Sequence, residues 1–69
     1  MGDPRLASRL KEARLAAGLT QAELAERASV SRKTINTVEN GIFTPSTIIA
    51  LSLARALELK VEDLFWLAE

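Results

Sequence analysis

Two short segments with the apolar spacing of helices, separated by only three residues, limit the folds open to this chain more than any other feature. Thr20 and Ser31 can each begin a helix, because their hydroxyl oxygens accept hydrogen bonds from the free backbone N–H groups of a first helical turn. The apolar spacing that follows predicts helices over residues 21–28 and 32–39, with a break at residues 29–30. A connection this short does not let two helices lie antiparallel. They must cross steeply, so that the second helix projects as a ridge.

Three further helical segments surround this pair. Asp3 and Pro4 have the residue types that favour the N-cap and the first position of a helix, which we predict over residues 5–17. A fourth helix is predicted over residues 47–57, and a short fifth helix over about residues 61–66. The chain of 69 residues is therefore expected to form one domain, residues 1–69, with an all-α fold of five helices.

The composition excludes several classes of protein. Cysteine and histidine are both absent, so we expect no disulfide, no thiolate zinc site and no catalysis by these side chains. The acidic pairs Glu23/Glu26 and Glu62/Asp63 fit charges that complement helix N-termini. No apolar run approaches the roughly 18 residues of a membrane helix. We expect a cytoplasmic protein that is not an enzyme and that has no cofactor, metal, membrane contact or small-molecule ligand.

The charge distribution and the third helix favour a polyanionic partner. Net charge is zero, but basic residues predominate over residues 5–43 and acidic residues over residues 44–69. The outward positions of the third helix are polar and none is acidic: Arg32, Lys33, Asn36 and Thr37. Arginine and lysine can bind guanine, asparagine can bind adenine, and the threonine methyl group can contact thymine. An ordinary solvated helix face is the alternative, and the surrounding helix–turn–helix pattern favours double-stranded DNA.

Several short segments together resemble the phage-repressor and Cro (Xre-type) helix-turn-helix family. In chain order they are GLTQAELA, VSRKTI, VENG, TPS and ALELKVEDLF, within residues 10–65 and around a helix-turn-helix at residues 21–40. The chain is similar to the small stand-alone members that end soon after the fifth helix. The resemblance implies a sequence-specific, lambda-repressor-like transcriptional regulator, associated with the nucleoid. We expect a repressor that binds a palindromic operator as a homodimer, with its third helix in the major groove.

The resemblance also assigns residues to the DNA contact. It implies base contacts from Arg32, Lys33 and Thr37, and we expect a further base contact from Asn36. Phosphate contacts are expected at the helix ends, from Thr20, Gln21, Ser31, Asn40 and Phe43 with the backbone after Gly41. Helix capping is the alternative for Gln21 and Asn40, and packing onto the core is the alternative for Phe43.

Arg14 and Glu39 have a different expected role. The residues at these two positions of the family form a largely buried ion pair, and the resemblance implies the same pair here. It would hold the first helix on the third and keep a carboxylate away from phosphate. Two unpaired surface charges are the alternative.

Two positions depart from the family pattern. Ser29 stands in the turn where glycine is usual, and serine holds a left-handed backbone conformation only at some cost. Ile42 stands where a basic residue is common. Its side chain cannot contact phosphate through charge, so we expect a lower nonspecific affinity for DNA.

Apolar residues towards the C-terminus favour a dimer. Ile48 and Leu51 lie off the predicted inward face of the fourth helix. The C-terminal segment, residues 59–69, contains Phe65, Trp66 and Leu67, which the small core cannot bury completely. We expect all five side chains to lie at a dimer interface. The alternative is that the C-terminal segment covers the fourth helix within one monomer, with Phe65 and Trp66 in the core.

A protein-interaction module, such as an antitoxin or a coactivator bridge, is the alternative function. An antitoxin usually carries an additional segment that wraps its toxin, and we see no room for one beyond residue 65. The salt dependence of DNA binding distinguishes the two classes, because phosphate contacts release counterions and make affinity fall steeply with salt.

Overall fold

The computed structural model describes residues 2–68, which form five helices and one small sheet. In chain order the elements are β1 (Leu6–Ser8), α1 (Leu10–Ala16), α2 (Gln21–Ala28), α3 (Arg32–Glu39), α4 (Thr47–Ala56), α5 (Val61–Leu64) and β2 (Phe65–Leu67). The five helices were predicted, but the sheet was not. The expected all-α class is therefore correct for the helical body and incomplete at the chain ends.

Side-chain caps set the boundaries of α2 and α3 where the sequence predicts them. The Glu23 backbone N–H donates to Thr20 Oγ1 over 3.1 Å, and the Thr20 backbone N–H donates to Glu23 Oε1 over 2.9 Å. This is a complete capping box. Ser31 Oγ accepts a bond of 3.0 Å from the Thr34 backbone N–H at the start of α3. The spans predicted for both helices are confirmed.

The turn between α2 and α3 contains a strained serine. Ser29 has φ 57° and ψ 41°, which is the left-handed helical region. The conformation lets the Val30 backbone N–H return to the Ala25 carbonyl over 3.0 Å, closing the end of α2. The turn therefore has the shape that glycine would adopt without strain, and serine holds it at a cost.

The first helix begins later than predicted. Asp3 and Pro4 do not start a helix at residue 5; they form a turn in which the Leu6 backbone N–H donates to the Asp3 carbonyl over 3.0 Å. Asp3 Oδ1 accepts from the Arg5 backbone N–H over 2.9 Å, and Asp3 Oδ2 lies 2.7 Å from Arg5 Nη2. The side-chain hydrogen bond from Arg5 lowers the pKa of Asp3 to about 2. Aspartate followed by proline suits a β-turn as well as a helix start, and the strand partner decides between them.

The last helix is shorter than predicted because the chain ends pair with each other. β1 and β2 are antiparallel, with Leu6 opposite Leu67, Ala7 opposite Trp66 and Ser8 opposite Phe65. The ladder is extended on both sides by a bond of 2.9 Å from Arg9 N to the Leu64 carbonyl and one of 2.7 Å from Ala68 N to the Arg5 carbonyl. The segment predicted to continue as helix to residue 66 is therefore extended from Phe65 onward.

The core takes one fully buried side chain from every helix. These are Leu10, Leu24, Ile35, Leu53 and Leu64, in the order α1 to α5. The helix pair α2 and α3 packs together, and α4 packs against α2. The core therefore fixes α3 from behind and leaves its opposite face open.

Replacing Ser29 with glycine should stabilise the protein. Removing the side chain relieves about 1–2 kcal/mol of left-handed strain, while glycine costs about 0.5–1 kcal/mol more backbone entropy. We expect the free energy of unfolding to rise by about 0.5–1 kcal/mol, measured by urea denaturation. The matched control is Ala22→Gly at an exposed position of α2, where glycine should lower stability by about 1 kcal/mol. Equal destabilisation by both changes would contradict a strained turn.

Candidate nucleic-acid interface

The outer face of α3 is polar and accessible. Arg32, Lys33 and Asn36 are exposed, whereas Ile35 and Val38 on the opposite face are buried. The first two lie in the first turn of the helix, directly after the Ser31 cap. The first turn of α3 therefore presents two cations without an acidic neighbour, and Asn36 adds an amide one turn later.

Thr37 is half-buried, and its hydroxyl group is engaged within the helix. Its Oγ1 lies 2.9 Å from the Lys33 carbonyl oxygen and 3.2 Å from the Thr34 carbonyl oxygen. The Thr37 hydroxyl group donates to both of these oxygens. The proton is thus committed to the backbone. What Thr37 offers to a partner is its methyl group and a hydroxyl lone pair.

The side chains of Thr20 and Ser31 both act as helix caps. Thr20 Oγ1 accepts the Glu23 backbone N–H, and Ser31 Oγ also shares a hydroxyl–hydroxyl bond of 2.8 Å with Thr34. The capping box lowers the pKa of Glu23, mainly because its carboxylate accepts the Thr20 backbone N–H. Both residues stand at exposed helix N-termini, as predicted, and their role toward phosphate stays a prediction.

A buried polar cluster joins α1, α2 and α3. Arg14 Nε lies 2.6 Å from Glu39 Oε2, and Arg14 Nη2 donates to Glu39 Oε1 over 3.2 Å. The Arg14 and Glu39 side chains are only 9% and 2% exposed, respectively. Arg14 Nη1 donates to the Leu19 carbonyl over 2.9 Å, so the guanidinium also ties down the segment before α2. The hydrogen bond to Glu39 raises the pKa of Arg14.

Gln21 belongs to the same cluster, which the sequence did not indicate. Gln21 Nε2 donates to Glu39 Oε1 over 3.1 Å across 18 residues of chain. Glu39 therefore accepts bonds from two side chains, and its charge is compensated by Arg14. A primary amide carries two N–H donors, so one donor of Gln21 remains after the bond to Glu39. No local pattern could reveal this contact, because it depends on how α2 and α3 cross.

Three backbone N–H groups of the loop after α3 are engaged within the chain. The Ile42 and Phe43 backbone N–H groups both donate to the Thr37 carbonyl, over 2.9 and 3.2 Å, and the Gly41 N–H donates to the Val38 carbonyl over 3.2 Å. The loop is closed on the helix end, and the phosphate contact expected from Phe43 with the backbone after Gly41 stays a prediction. The side chain of Asn40 is exposed at the C-cap, and the Phe43 ring is 40% exposed.

The five residues predicted for a dimer interface differ in how exposed they are. Ile48, Leu51, Trp66 and Leu67 are 77%, 53%, 46% and 73% exposed. Phe65 is only 8% exposed and packs in the monomer core, because the first residue of β2 points inward beside Leu64. Phe65 is therefore corrected from an interface residue to a core residue. The other four side chains remain on the surface of the monomer.

Residues 2–68 lack the features of a membrane span and of a metal site. None of the helices in this range is long and apolar enough to cross a membrane. The same residues contain no cluster of histidine, cysteine, aspartate or glutamate that could hold a metal ion.

The chain is similar to known proteins in sequence and in fold. A family model described as Helix-turn-helix matches residues 10–64. The Bacillus subtilis protein YgzD, named as an uncharacterized HTH-type transcriptional regulator, is 39% identical over 62 residues, which are 90% of this chain and 94% of YgzD. The chain belongs to this helix-turn-helix family of DNA-binding transcriptional regulators.

Solved structures agree with this class. The restriction-modification controller protein C.AhdI from Aeromonas hydrophila has a TM-score of 0.78 and 36% identity, covering 80% of this chain and 83% of its own. SinR, described as the master regulator for biofilm formation and solved in complex with DNA, has a TM-score of 0.75 and 27% identity, covering 78% of this chain and 87% of its own.

Glu39→Ala should strongly destabilise the protein. The change leaves the Arg14 guanidinium buried without its carboxylate, which costs about 3–5 kcal/mol in comparable buried pairs. A core of this size supplies stability of the same order, so a large fraction of the variant should be unfolded at 37 °C. Circular dichroism melting measures the effect, and Glu26→Ala on the exposed face of α2 is the control.

A second variant distinguishes the loss of the ion pair from the loss of side-chain volume. Arg14→Met/Glu39→Met removes both charges together, and it should retain more stability than Glu39→Ala because no unpaired charge remains. An unchanged melting temperature in Glu39→Ala would show that the pair contributes nothing.

Proposed function

We propose that this protein is a repressor that binds a palindromic operator as a homodimer, with α3 in the major groove. The observation that carries the proposal is the exposed first turn of α3, where Arg32 and Lys33 stand free of intramolecular ion pairs within residues 2–68. A helix presented in this way by a preceding, steeply crossing helix fits the major groove. Arginine and lysine at the leading end can bind guanine O6 and N7, and Asn36 one turn later can bind adenine.

Phosphate contacts would fix the register of α3. The N-terminus of α2 carries a positive dipole end and the remaining amide donor of Gln21. The bond from Gln21 to Glu39 holds this amide against the end of α3, so that a phosphate bound there is positioned relative to the base-reading helix. Asn40 at the other end of α3 supplies a second exposed amide. Such contacts position the protein without selecting sequence.

Dimerisation would supply the specificity that one recognition helix lacks. Two copies related by a two-fold axis place their α3 helices about 34 Å apart, one turn of DNA. The four exposed apolar side chains come from α4 and β2, and they lie in the acidic part of the sequence. We propose that they form the contact between copies: Ile48, Leu51, Trp66 and Leu67, with the C-terminal segment from residue 59. Bound at an overlapping promoter, the dimer would block polymerase.

Arg32→Ala and Lys33→Ala should weaken specific binding and relax base preference. Each good base contact is worth about 1–3 kcal/mol, which corresponds to roughly a 5- to 150-fold loss of affinity.

Gln21→Ala should instead weaken binding to all sequences about equally, because it affects a phosphate contact. Fluorescence anisotropy at fixed salt measures both effects on the preferred site and on single-base variants.

The charge-matched control is Lys11→Ala, which removes an exposed cation from α1, outside the proposed DNA and dimer contacts. It should leave base preference unchanged. If the Arg32 and Lys33 variants keep the affinity and base preference of the wild type, α3 does not read the bases.

Ile48→Asp/Trp66→Ala should convert the protein to a monomer. The double change removes two exposed apolar side chains from the proposed interface and places a charge between the copies. Sedimentation at tens of micromolar should give a dimer for the wild type and a monomer for the variant. The control is Leu15→Asp, because Leu15 is 58% exposed on α1 outside the proposed interface. A wild type that sediments as a monomer and still binds a palindromic site without cooperativity would rule out the dimer.

A further inference from the structure

The loop that follows α3 exposes hydrocarbon beside the base-reading face. Ile42 is 58% exposed and Phe43 is 40% exposed, although both are large apolar residues. Their backbone N–H groups donate inward to the Thr37 carbonyl. In this loop the two side chains therefore face outward and their backbone N–H groups face inward. Neither side chain can bind a phosphate.

These two side chains share a cleft with residues of α3. The cleft has a volume of about 290 Å³ and is lined by Ser31, Lys33, Thr34, Thr37, Ile42 and Phe43. Lys33 and Thr37 are two of the residues proposed to contact bases, so the apolar loop is continuous with that surface. Because the Thr37 hydroxyl proton is held by the helix backbone, the methyl group of Thr37 adds to the apolar wall.

We infer that Ile42 and Phe43 form a specificity site for the 5-methyl group of thymine, an inference that rests on the proposed function. The C5 methyl is the apolar group that a base presents in the major groove, and it distinguishes thymine from cytosine. A hydrophobic cleft beside a base-reading lysine matches that group in chemistry and position. Sugar carbons would also be buried by such a surface, but they carry no sequence information.

The test replaces thymine by deoxyuridine, which removes only the methyl group. The probe is a duplex obtained by selecting bound sites from random DNA with the wild-type full chain, and each thymine is replaced in turn. At one thymine or more per half-site the wild type should lose about three- to five-fold in affinity, the expected effect of exposing one buried methyl group. This loss should disappear in Ile42→Ser/Phe43→Ser and be only partly reduced in Thr37→Ser, which removes one methyl group of the cleft wall.

The outcomes separate the inference from the function on which it rests. If the wild type selects no DNA, the proposed function fails. If it selects a site but binds thymine and deoxyuridine equally, or if the discrimination survives Ile42→Ser/Phe43→Ser, the inference is overturned and the function stands. Phe43→Leu keeps an apolar side chain and should keep the discrimination. Both replaced positions are exposed, so an unchanged melting temperature checks that each variant is folded.

Discussion

The buried pair of Arg14 and Glu39 is the interaction on which the rest of the structure depends. A guanidinium and a carboxylate removed from water are stable only when their hydrogen bonds are satisfied. Here Arg14 reaches both Glu39 and the Leu19 carbonyl, and Glu39 also accepts from Gln21. One charged pair thus connects the end of α3 to α1 and to the segment that enters α2. In residues 2–68 no buried side-chain polar atom lacks a partner.

This connection explains how a small domain can hold α3 at both its side and its end. The apolar core supports α3 through Ile35 and Val38, while the polar cluster anchors its last residue. The exposed residues of α3 are therefore attached to a helix fixed at its side and at its end. The same cluster removes the repulsion that a free Glu39 would exert on phosphate, and it orients Gln21 at the neighbouring helix N-terminus. Stability and the presentation of polar groups arise from the same contacts.

Local chemistry made much of this fold predictable, and long-range pairing did not. The bounds of α2 and α3 could be predicted from the sequence, because hydroxyl caps lie within a few residues of each helix start. The strands could not, because Leu6–Ser8 becomes a strand only when Phe65–Leu67 lies beside it. Phe65 is predicted at the dimer interface, with the core as the alternative, for the same reason: its inward direction is set by the register of β2. At the candidate site, the exposure of Arg32 and Lys33 follows from helix periodicity. The bond between Gln21 and Glu39 could not be predicted, because it depends on how α2 and α3 cross.

We propose that two copies of α3 read one symmetric DNA site. Selection of bound sequences from random double-stranded DNA tests this most directly, because it reveals the motif, its symmetry and its spacing together. We expect an inverted repeat whose half-sites have centres about 10 base pairs apart, one turn of the double helix. An enriched motif without inverted symmetry, or no enrichment over nonspecific DNA, would contradict it.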